Sequence, residues 1–477
     1  MAKNTEIELK LLISKDNLKA LLKLDCVAKA LREGSCQKRR LVSSYYDTED
    51  LAFKRQGIAY RVRSKGDGTY EATVKTRIAN AAGLSERVEL NIPLKSARPQ
   101  LTGFAELGLA SELTELAPNG VSKLFTVTVQ RTTYLLDLEG AVAELAVDHG
   151  KITAGQAVDK IDEVEIELLE GDKGALLGLA AAIAREIPVF VEKRSKFARG
   201  LALRGIGVDA APVQEKLGTG LAKDELMGAV AAHGEQLMTL KDTFAANVSE
   251  KTLKTLRREL LTLRSLGEAA GAASCPELEN TLALVEQVRR LLGLQVLWQS
   301  IVLKGQLQGR TSLQKKLSEA TMAAMTALQG QAAGGRFTAI VFALTSDIYV
   351  AELGDEAVEG RVKASFKAWQ QVLLQKAPDK AAVDAEAAEP GASELVASDL
   401  AEDKLIAAEN ICALARCCSL KAAAKASEAV KKQRRQLNKQ AVLAAWQELL
   451  TKLSEGSSSK NLYREVGMVQ GYLLAKA

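Results

Sequence analysis

About the first 200 residues of this chain repeatedly alternate charged and apolar side chains, a period of two that is typical of β-strands. In the run Glu6-Ile7-Glu8-Leu9-Lys10, the charged side chains share one strand face and the apolar ones share the other. The pattern returns in AYRVR, YEATVK, ERVELN, AELAVD and DEVEIEL. Such strands either leave their charged faces in water, as in an open sheet, or turn them into the interior of a closed antiparallel barrel.

The distribution of charge along the chain favours the barrel. Acidic residues concentrate on the first and last of these strands, and basic residues on the middle ones: Glu6, Glu8, Asp148, Glu165 and Glu167 against Arg61, Arg63, Lys75 and Arg131. A solvated sheet would interleave the two signs as cross-strand pairs. Segregation instead suits a divalent cation on one wall and a phosphate-rich anion on the other.

Length and composition predict a chain of two domains. A chain of 477 residues is too long for one hydrophobic core, and 47% hydrophobic with 26% charged residues is ordinary for a globular protein. A net charge of +5 does not predict nucleic-acid binding. The six cysteines lack metal-binding spacing and are expected to be free thiols. We find no signal peptide and no apolar run long enough for a membrane span, so a cytoplasmic location is expected.

The first domain is predicted to end near residue 205. Ser14 is a candidate N-cap for a helix over 15–32, and strands follow to about residue 170. The turn Gly66-Asp67-Gly68 joins two of these strands, and a later helix should stop at Pro188.

The second domain is predicted to be all-helical, because residues 223–477 are rich in Ala, Leu, Lys, Glu and Gln with helical spacing. A linker at 206–222 precedes it, and a flexible loop is expected at 376–399.

Six motifs in order resemble the CYTH family of triphosphate tunnel enzymes over about residues 1–205: EIELK at 6–10, YYDT at 45–48, RVR at 61–63, TVK at 73–75, VEIEL at 164–168 and SKFARG at 195–200. The helical extension resembles a CHAD domain, a pairing similar to the bacterial CYTH–CHAD inorganic triphosphatases. The resemblance implies an α+β fold, in which an eight-stranded antiparallel β tunnel with flanking helices precedes a helical bundle. It also implies triphosphate as the substrate and Mg²⁺ or Mn²⁺ as the cofactor.

Carried onto this chain, the resemblance and the charge pattern assign roles to named residues. The predicted metal ligands are Glu6, Glu8, Asp148, Glu165 and Glu167. Glu165 and Glu167 would also orient the attacking water, and with Lys10 and Arg63 they form the predicted catalytic set. The predicted phosphate-binding residues are Lys10, Arg61, Arg63, Lys75, Arg131 and Lys196, with Arg87 and Arg199 as additions.

Four other polar residues of this region receive lesser roles. Glu89 and Glu163 are predicted to orient arginines, whereas Glu144 is either a charge partner in the wall or part of the site. The chain has only two histidines, which excludes a histidine metal site, and His149 is predicted to lie at the surface.

The helical half departs from the CHAD pattern of recurring histidines. His233 is the only histidine in this half. Lys254 occupies what resembles a histidine position of the CHAD pattern, and Arg257 matches the arginine that follows it. Arg289-Arg290 and the run at 431–439 are candidates for polyphosphate binding. The alternative to polyphosphate binding, and the one we expect, is that this half of the chain serves as a scaffold.

Three functions remain open on the sequence. The first is metal-dependent hydrolysis of inorganic triphosphate. The second is hydrolysis of a nucleoside or thiamine triphosphate, or cyclisation of ATP, which would require an aromatic lip for which only Tyr45, Tyr46, Phe53 and Tyr60 are candidates. The third is non-catalytic polyphosphate binding, which the carboxylates disfavour because they repel phosphate. No nucleic-acid or membrane partner is predicted.

Overall fold

The computed structural model describes residues 5–81, 83–207, 222–246, 248–272, 275–303, 312–350, 357–364, 446–455, 457 and 459–474. The chain forms two compact units. Met1–Lys216 and Val341–Val350 make the first, and Leu217–Ile340 and Ala351–Ala477 make the second. The predicted loop at 376–399 lies outside the described residues, and the predicted domain bounds stay predictions.

The first unit is built on one antiparallel sheet that closes on itself. Its strands are β1 (Thr5–Ile13), β2 (Gln37–Asp47), β3 (Ile58–Ser64), β4 (Tyr70–Ala81), β5 (Leu84–Leu94), β6 (Ser122–Leu138), β7 (Ala141–Ala154), β8 (Ala157–Gly171) and β9 (Val189–Val191). They are ordered β5-β4-β3-β2-β6-β7-β8-β1-β9, and β5 also pairs with β1. The predicted eight-stranded barrel is therefore confirmed, and the short β9 is an addition that the sequence did not reveal.

Strand β1 closes the barrel because one of its edges pairs with two strands, β5 and β9, and its other edge pairs with β8. Thr5 to Leu9 pair with β5, whereas Leu11 to Ile13 pair with β9. The other edge pairs with β8 along Glu8 to Leu12. The N-terminal half of β1, which carries the EIELK motif, is therefore held on both sides by strands of the barrel wall.

Helices of the first unit pack against the sheet, and all but the last of them lie outside its charged interior face. They are α1 (Lys15–Leu21), α2 (Asp25–Ala28), α3 (Ala52–Arg55), α4 (Ala110–Leu116), α5 (Lys173–Glu186) and α6 (Lys196–Leu203), with a 3-10 helix at Thr102–Leu107. Tyr60, Val62 and Val74 of β3 and β4 pack with Phe53 and Phe104 in one outer cluster. Burial of such side chains supplies most of the stability of a wall of this kind.

The single helix predicted over 15–32 is wrong in its extent. Ser14 does cap a helix, and its Oγ accepts from the backbone N–H of Asn17 at 3.3 Å. However, α1 ends at Leu21, and extended Leu24 separates it from α2. The turn at Gly66 and Gly68 is confirmed, since both have the positive φ that favours glycine.

Helix α6 packs its apolar side against the inward face of the sheet. Leu201 and the half-buried Phe197 join Phe125, Val127 and Ile152, residues that alternate in phase with the charged ones on β6 and β7. Gly200 permits this approach, because a Cβ there would lie 2.2 Å from the ring of Phe125. This contact explains the glycine of the SKFARG motif and places Lys196 of α6 at the barrel interior.

The second unit is helical, as predicted. Its described helices are α7 (Ala222–Ala246), α8 (Glu250–Ala270), α9 (Pro276–Leu303), α10 (Ser312–Ala333), the first residues of α11 (Arg336–Val350), α12 (Lys460–Leu474), and helical residues at 357–364 and 446–454. Ser249 and Thr252 form a capping box at the start of α8. None of the helices within the described ranges is long and apolar enough to cross a lipid bilayer.

Candidate functional site

A cavity of about 510 Å³ lies inside the barrel, and charged side chains dominate its wall. Seven of its lining residues are basic and six are carboxylates: Lys10, Arg61, Arg63, Lys75, Arg87, Arg131 and Lys196, with Glu6, Glu8, Glu89, Glu144, Glu165 and Glu167. The charged strand faces therefore do converge on a shared interior instead of facing bulk water.

Strand register explains how the acidic wall arises. Glu167 of β8 lies directly opposite Glu8 of β1 on one side and Glu144 of β7 on the other. Lys10 lies opposite Glu165 in the same way. Like charges at opposed positions are destabilising unless cations compensate them, so this wall depends on the basic residues around it.

Several basic side chains provide this compensation across the cavity. Lys75 contacts Glu6 at 2.6 Å and also Glu89, which in turn lies 3.4 Å from Arg61. Arg87 lies 3.5 Å from Glu8. Burial opposes ionisation of Glu89, but Lys75 and Arg61 outweigh it and lower the pKa of Glu89 to about 2. Glu89 thus takes the predicted role of holding an arginine.

The deepest part of the site is a compact cluster of opposite charges. Lys196 lies 2.8 Å from both Asp148 and Glu165 and also contacts Glu163. Arg131 binds Asp148 at 2.6 Å and also contacts Glu165. Asp148 and Glu163 are fully buried. Lys196 and Arg131 overcome the cost of burial and hold the pKa of Glu165 well below its usual range.

Helix α6 completes this cluster with a second cation. Arg199 contacts Glu163 at 3.0 Å and Asp159 at 2.8 Å. Lys196 and Arg199, one helical turn apart on α6, are both buried, at 7% and 6% exposed. Glu163 therefore positions Arg199, as predicted.

The carboxylates of Asp148, Glu163 and Glu165 lie close enough to hold one metal ion, within 4.8 Å of one another. Each of them already has a cationic partner, as described above. The assignment of Asp148 and Glu165 to a metal thus stays a prediction.

A few charged groups in the cavity wall lack an opposite charge, judged within the described ranges. Glu167 and Glu144 have no hydrogen bond or ion pair there, and Arg63 has only Ser43 Oγ, at 2.9 Å. Burial and the neighbouring Glu6 raise the pKa of Glu167 to about 7, and burial also raises that of Glu144. Burial together with Arg61 and Arg131 lowers the pKa of Arg63 to about 10. Buried Arg61 has an Nε without a hydrogen-bond partner.

Uncompensated buried charge is costly in an isolated protein. It is the property expected of groups that await a ligand.

Two motif residues at the end of β2 have a structural role outside the cavity: Asp47 is the last residue of the strand and Thr48 follows it. Asp47 is fully buried, and its carboxylate accepts from the backbone N–H groups of Phe53 and Lys54 at 2.9 and 3.0 Å. Thr48 Oγ1 accepts a hydrogen bond from the backbone N–H of Ala52 at 2.7 Å. The YYDT motif therefore builds the start of α3.

The aromatic residues considered as a lip for a nucleoside or thiazole ring pack against other side chains of the protein. Phe53 and Tyr60 are fully buried in the outer apolar cluster and do not line the cavity. Tyr45 lines the cavity but stacks on Phe125 and Phe197, with ring centroids 4.9 and 5.7 Å apart.

Arg39 and Ser43 are residues of the barrel interior that were not predicted from the sequence. Both alternate in phase with Tyr45 along β2, and register places Ser43 opposite Arg63. This alternation could have revealed them. His149 is exposed beside Asp162, as predicted.

Several basic residues of the helical half, including the candidate Arg289, are ion-paired in the described ranges. Lys254 contacts Glu250 at 2.6 Å, and Glu286 contacts both Arg257 and Arg289. His233 lies 2.6 Å from buried Glu259. The basic run at 431–439 lies outside the described residues, so polyphosphate binding by this half stays a prediction.

Comparison with known proteins agrees with this geometry. Residues 4–201 match the family model of the CYTH domain. An inorganic triphosphatase of Haemophilus influenzae is 29% identical over 163 residues, which make up 34% of this chain and 46% of that protein. The chain thus matches about half the length of this curated relative.

Solved structures resemble the same region. A proposed adenylyl cyclase of Hippeastrum, described as having a dominant triphosphatase activity, is 20% identical, with 41% of this chain and 95% of that chain covered at a TM-score of 0.30. A proposed adenylate cyclase of Bacillus halodurans is also 20% identical, with 41% and 98% covered at a TM-score of 0.28.

Proposed function

We propose, from the match of residues 4–201 to the family model of the CYTH domain and from the geometry of the cavity, that this chain hydrolyses inorganic triphosphate to pyrophosphate and orthophosphate inside the barrel, using Mg²⁺ or Mn²⁺. One observation carries the proposal. The interior cavity joins seven basic side chains to six carboxylates and leaves Arg63 and Glu167 without opposite charges in the described part of the chain. An anion and a cation bound together would compensate both.

The basic side chains are expected to bind the phosphates. Arg61 and Arg63 have guanidinium hydrogen atoms to spare, and a guanidinium can hold two phosphate oxygens at once. Lys10, Lys75, Arg87, Arg131 and Lys196 are engaged with carboxylates and would turn partly from these to the substrate, with Arg199 behind them. The site is therefore organised before the substrate arrives.

The balance of charge indicates that basic residues alone do not suffice. Seven basic side chains face six carboxylates, so the wall has an excess of one positive charge when all are ionised. A multiply charged triphosphate would meet strong repulsion from Glu6, Glu8 and Glu167. A divalent cation between these carboxylates and the phosphate removes the repulsion.

The residues present fit such a cation. Oxygen ligands suit Mg²⁺ and Mn²⁺, and Glu167 is a half-buried carboxylate without a partner in the described ranges, opposite Glu8 and near Glu6. Glu165 and Asp148 could join only by giving up part of their contacts with Lys196 and Arg131. When bound, the cation neutralises phosphate charge and makes a bound water more acidic.

The protein's own groups would then position the reactants. Arg63 and Lys10 hold the phosphate chain against the acidic wall, and Glu165 and Glu167 accept hydrogen bonds from the attacking water and orient it. Phosphoryl transfer depends mainly on such positioning and on neutralised charge. Groups that stabilise the charge developing on the leaving pyrophosphate in the transition state more than they stabilise the bound substrate accelerate the step.

The cavity favours a substrate without a base or thiazole ring. Tyr45 and Phe197 are the aromatic residues among those that line it, and they stack on each other and on Phe125. A nucleoside would therefore meet charged side chains where it needs an apolar surface.

Purified protein should release orthophosphate from inorganic triphosphate only with Mg²⁺ or Mn²⁺. The assay would compare triphosphate, ATP, thiamine triphosphate, pyrophosphate and long-chain polyphosphate, each with metal and with EDTA. We expect kcat/KM for triphosphate to exceed that for ATP at least about tenfold, since a nucleoside would cost binding energy at the cavity wall. A preference for ATP, or full activity in EDTA, would contradict the proposal.

A further inference from the structure

A second cavity, of about 190 Å³, adjoins the first inside the described part of the barrel. Its charged lining residues are Arg39, Arg63, Lys65, Arg131, Glu71 and Glu144. Arg63, Arg131 and Glu144 line both cavities. The two spaces therefore share a boundary of charged side chains.

The smaller cavity has an excess of positive charge. Lys65 contacts Glu71 at 2.7 Å, and Arg131 is engaged with Asp148 and Glu165. Arg39 donates to Gln37 Oε1 at 2.9 Å, but neither Arg39 nor Arg63 has a carboxylate within 4.0 Å in the described residues. Two guanidinium groups without a carboxylate partner in the described residues, those of exposed Arg39 and half-buried Arg63, thus line this space together with one unpaired carboxylate, Glu144.

The size of this cavity limits what it can bind. Its volume is roughly ten times the minimum that holds one water molecule, but well under half that of the larger cavity. Orthophosphate is a compact anion of one to two negative charges near neutral pH, by analogy with phosphate esters. Guanidinium groups match its oxygens in geometry as well as charge.

We propose that the smaller cavity is an orthophosphate subsite, built on Arg39 and Arg63, which receives the phosphate that hydrolysis releases. This proposal rests on the proposed triphosphatase function. Because Arg63 lines both cavities, its guanidinium first contacts the terminal phosphoryl group of the substrate and then the orthophosphate that is released. Arg39 contacts the smaller space alone and determines its affinity for orthophosphate.

Binding measurements on the full-length, Mg²⁺-loaded protein test the subsite. Orthophosphate is titrated into protein saturated with pyrophosphate, which fills the larger cavity, and heat is recorded by calorimetry. We expect Arg39→Ala to weaken orthophosphate binding about tenfold, the loss expected for one charge-assisted contact, and Arg39→Lys to recover part of it. Arg40→Ala is the matched control, because Arg40 is an exposed neighbour on β2 that lines neither cavity.

Product inhibition of triphosphate hydrolysis gives the second measurement. Arg39→Ala should raise the inhibition constant of orthophosphate about tenfold more than that of pyrophosphate. If orthophosphate competes with pyrophosphate for one place, or if Arg39→Ala and Arg40→Ala behave alike while hydrolysis is intact, the subsite is wrong and the proposed function stands. If hydrolysis is missing but orthophosphate binding depends on Arg39, the anion site at Arg39 stands, whereas the proposed function and the role of the site in product release are wrong.

Discussion

Replacing Glu167 with glutamine should reduce triphosphate hydrolysis at least about a hundredfold, as expected when an oxygen ligand at a metal site is weakened. The same change should make the metal-free protein more stable. Burial and the neighbouring Glu6 raise the pKa of Glu167 to about 7, against an ordinary value of 4.5. The folded protein therefore holds this carboxylate in an unfavourable charged state above pH 7, and glutamine removes that cost.

The size of this stability change depends on pH. Between pH 4.5 and about 7 the unfolded chain ionises Glu167 while the folded protein does not, so stability falls as pH rises through this window. At pH 8 we expect Glu167→Gln to raise the free energy of unfolding by about 1 kcal/mol, less than the full shift would give because solvent partly screens the group. At pH 4 the two proteins should be equally stable.

Urea unfolding, monitored through hydrogen exchange of peptides from β8, would measure this change in the free energy of unfolding. Tryptophan fluorescence would not, since all three tryptophans, 298, 369 and 446, lie beyond the barrel. Glu170→Gln, an exposed change on the same strand, is the matched control and should leave both hydrolysis and stability unchanged. A Glu167→Gln protein that is fully active, or destabilised at pH 8, would show that Glu167 does not await a cation.

Metal affinity should follow the same ionisation. Below pH 7 Glu167 must lose a proton before it binds a cation, so the affinity for Mn²⁺ should rise with pH and level off above about pH 7. Titration of Mn²⁺ by electron paramagnetic resonance between pH 5.5 and 8.5 would record it. Glu167→Gln should flatten this profile.

Arg63→Gln is expected to weaken triphosphate binding about 10- to 100-fold, which corresponds to the loss of one or two charge-assisted hydrogen bonds. Burial together with Arg61 and Arg131 lowers the pKa of Arg63 to about 10, so its positive charge is costly in the ligand-free protein. The variant should therefore be as stable as the wild type or more stable, by about 1 kcal/mol. A residue kept at the expense of stability is one that a ligand needs.

Calorimetric titration of triphosphate with Ca²⁺ present, to slow turnover, would give the affinity, and hydrogen exchange of β3 would give the stability. Arg98→Gln, in an exposed position, is the control for the loss of one positive charge. Loss of stability together with unchanged affinity would mean that Arg63 supports the wall and does not bind substrate.

The barrel could be predicted because its signal is local. Alternation along each strand shows which side chains share a face, and the charge of that face shows that it needs partners. In the run from Glu163 to Glu167 the inward acids and the buried Val164 and Ile166 were legible from the sequence alone. The convergence of these faces on one cavity followed from closure of the sheet.

The pairing of charges could not be predicted, because it depends on register and on distant segments. That Lys196 neutralises Asp148 and Glu165 requires α6 to pack against the inward face of the sheet, which Gly200 permits. Alternation gives Glu165 and Glu167 the same character, yet Glu165 is paired with three cations, Lys10, Arg131 and Lys196, and Glu167 with none in the described residues. The short β9 and the break after α1 likewise depend on tertiary contacts.

The anomalous signal of Mn²⁺ in crystals grown with triphosphate tests the central claim most directly. We predict a manganese peak inside the barrel beside Glu6, Glu8 or Glu167, with phosphate density against Arg61 and Arg63. Manganese and triphosphate bound only on the outer surface, with the cavity wall still paired as described, would contradict the account.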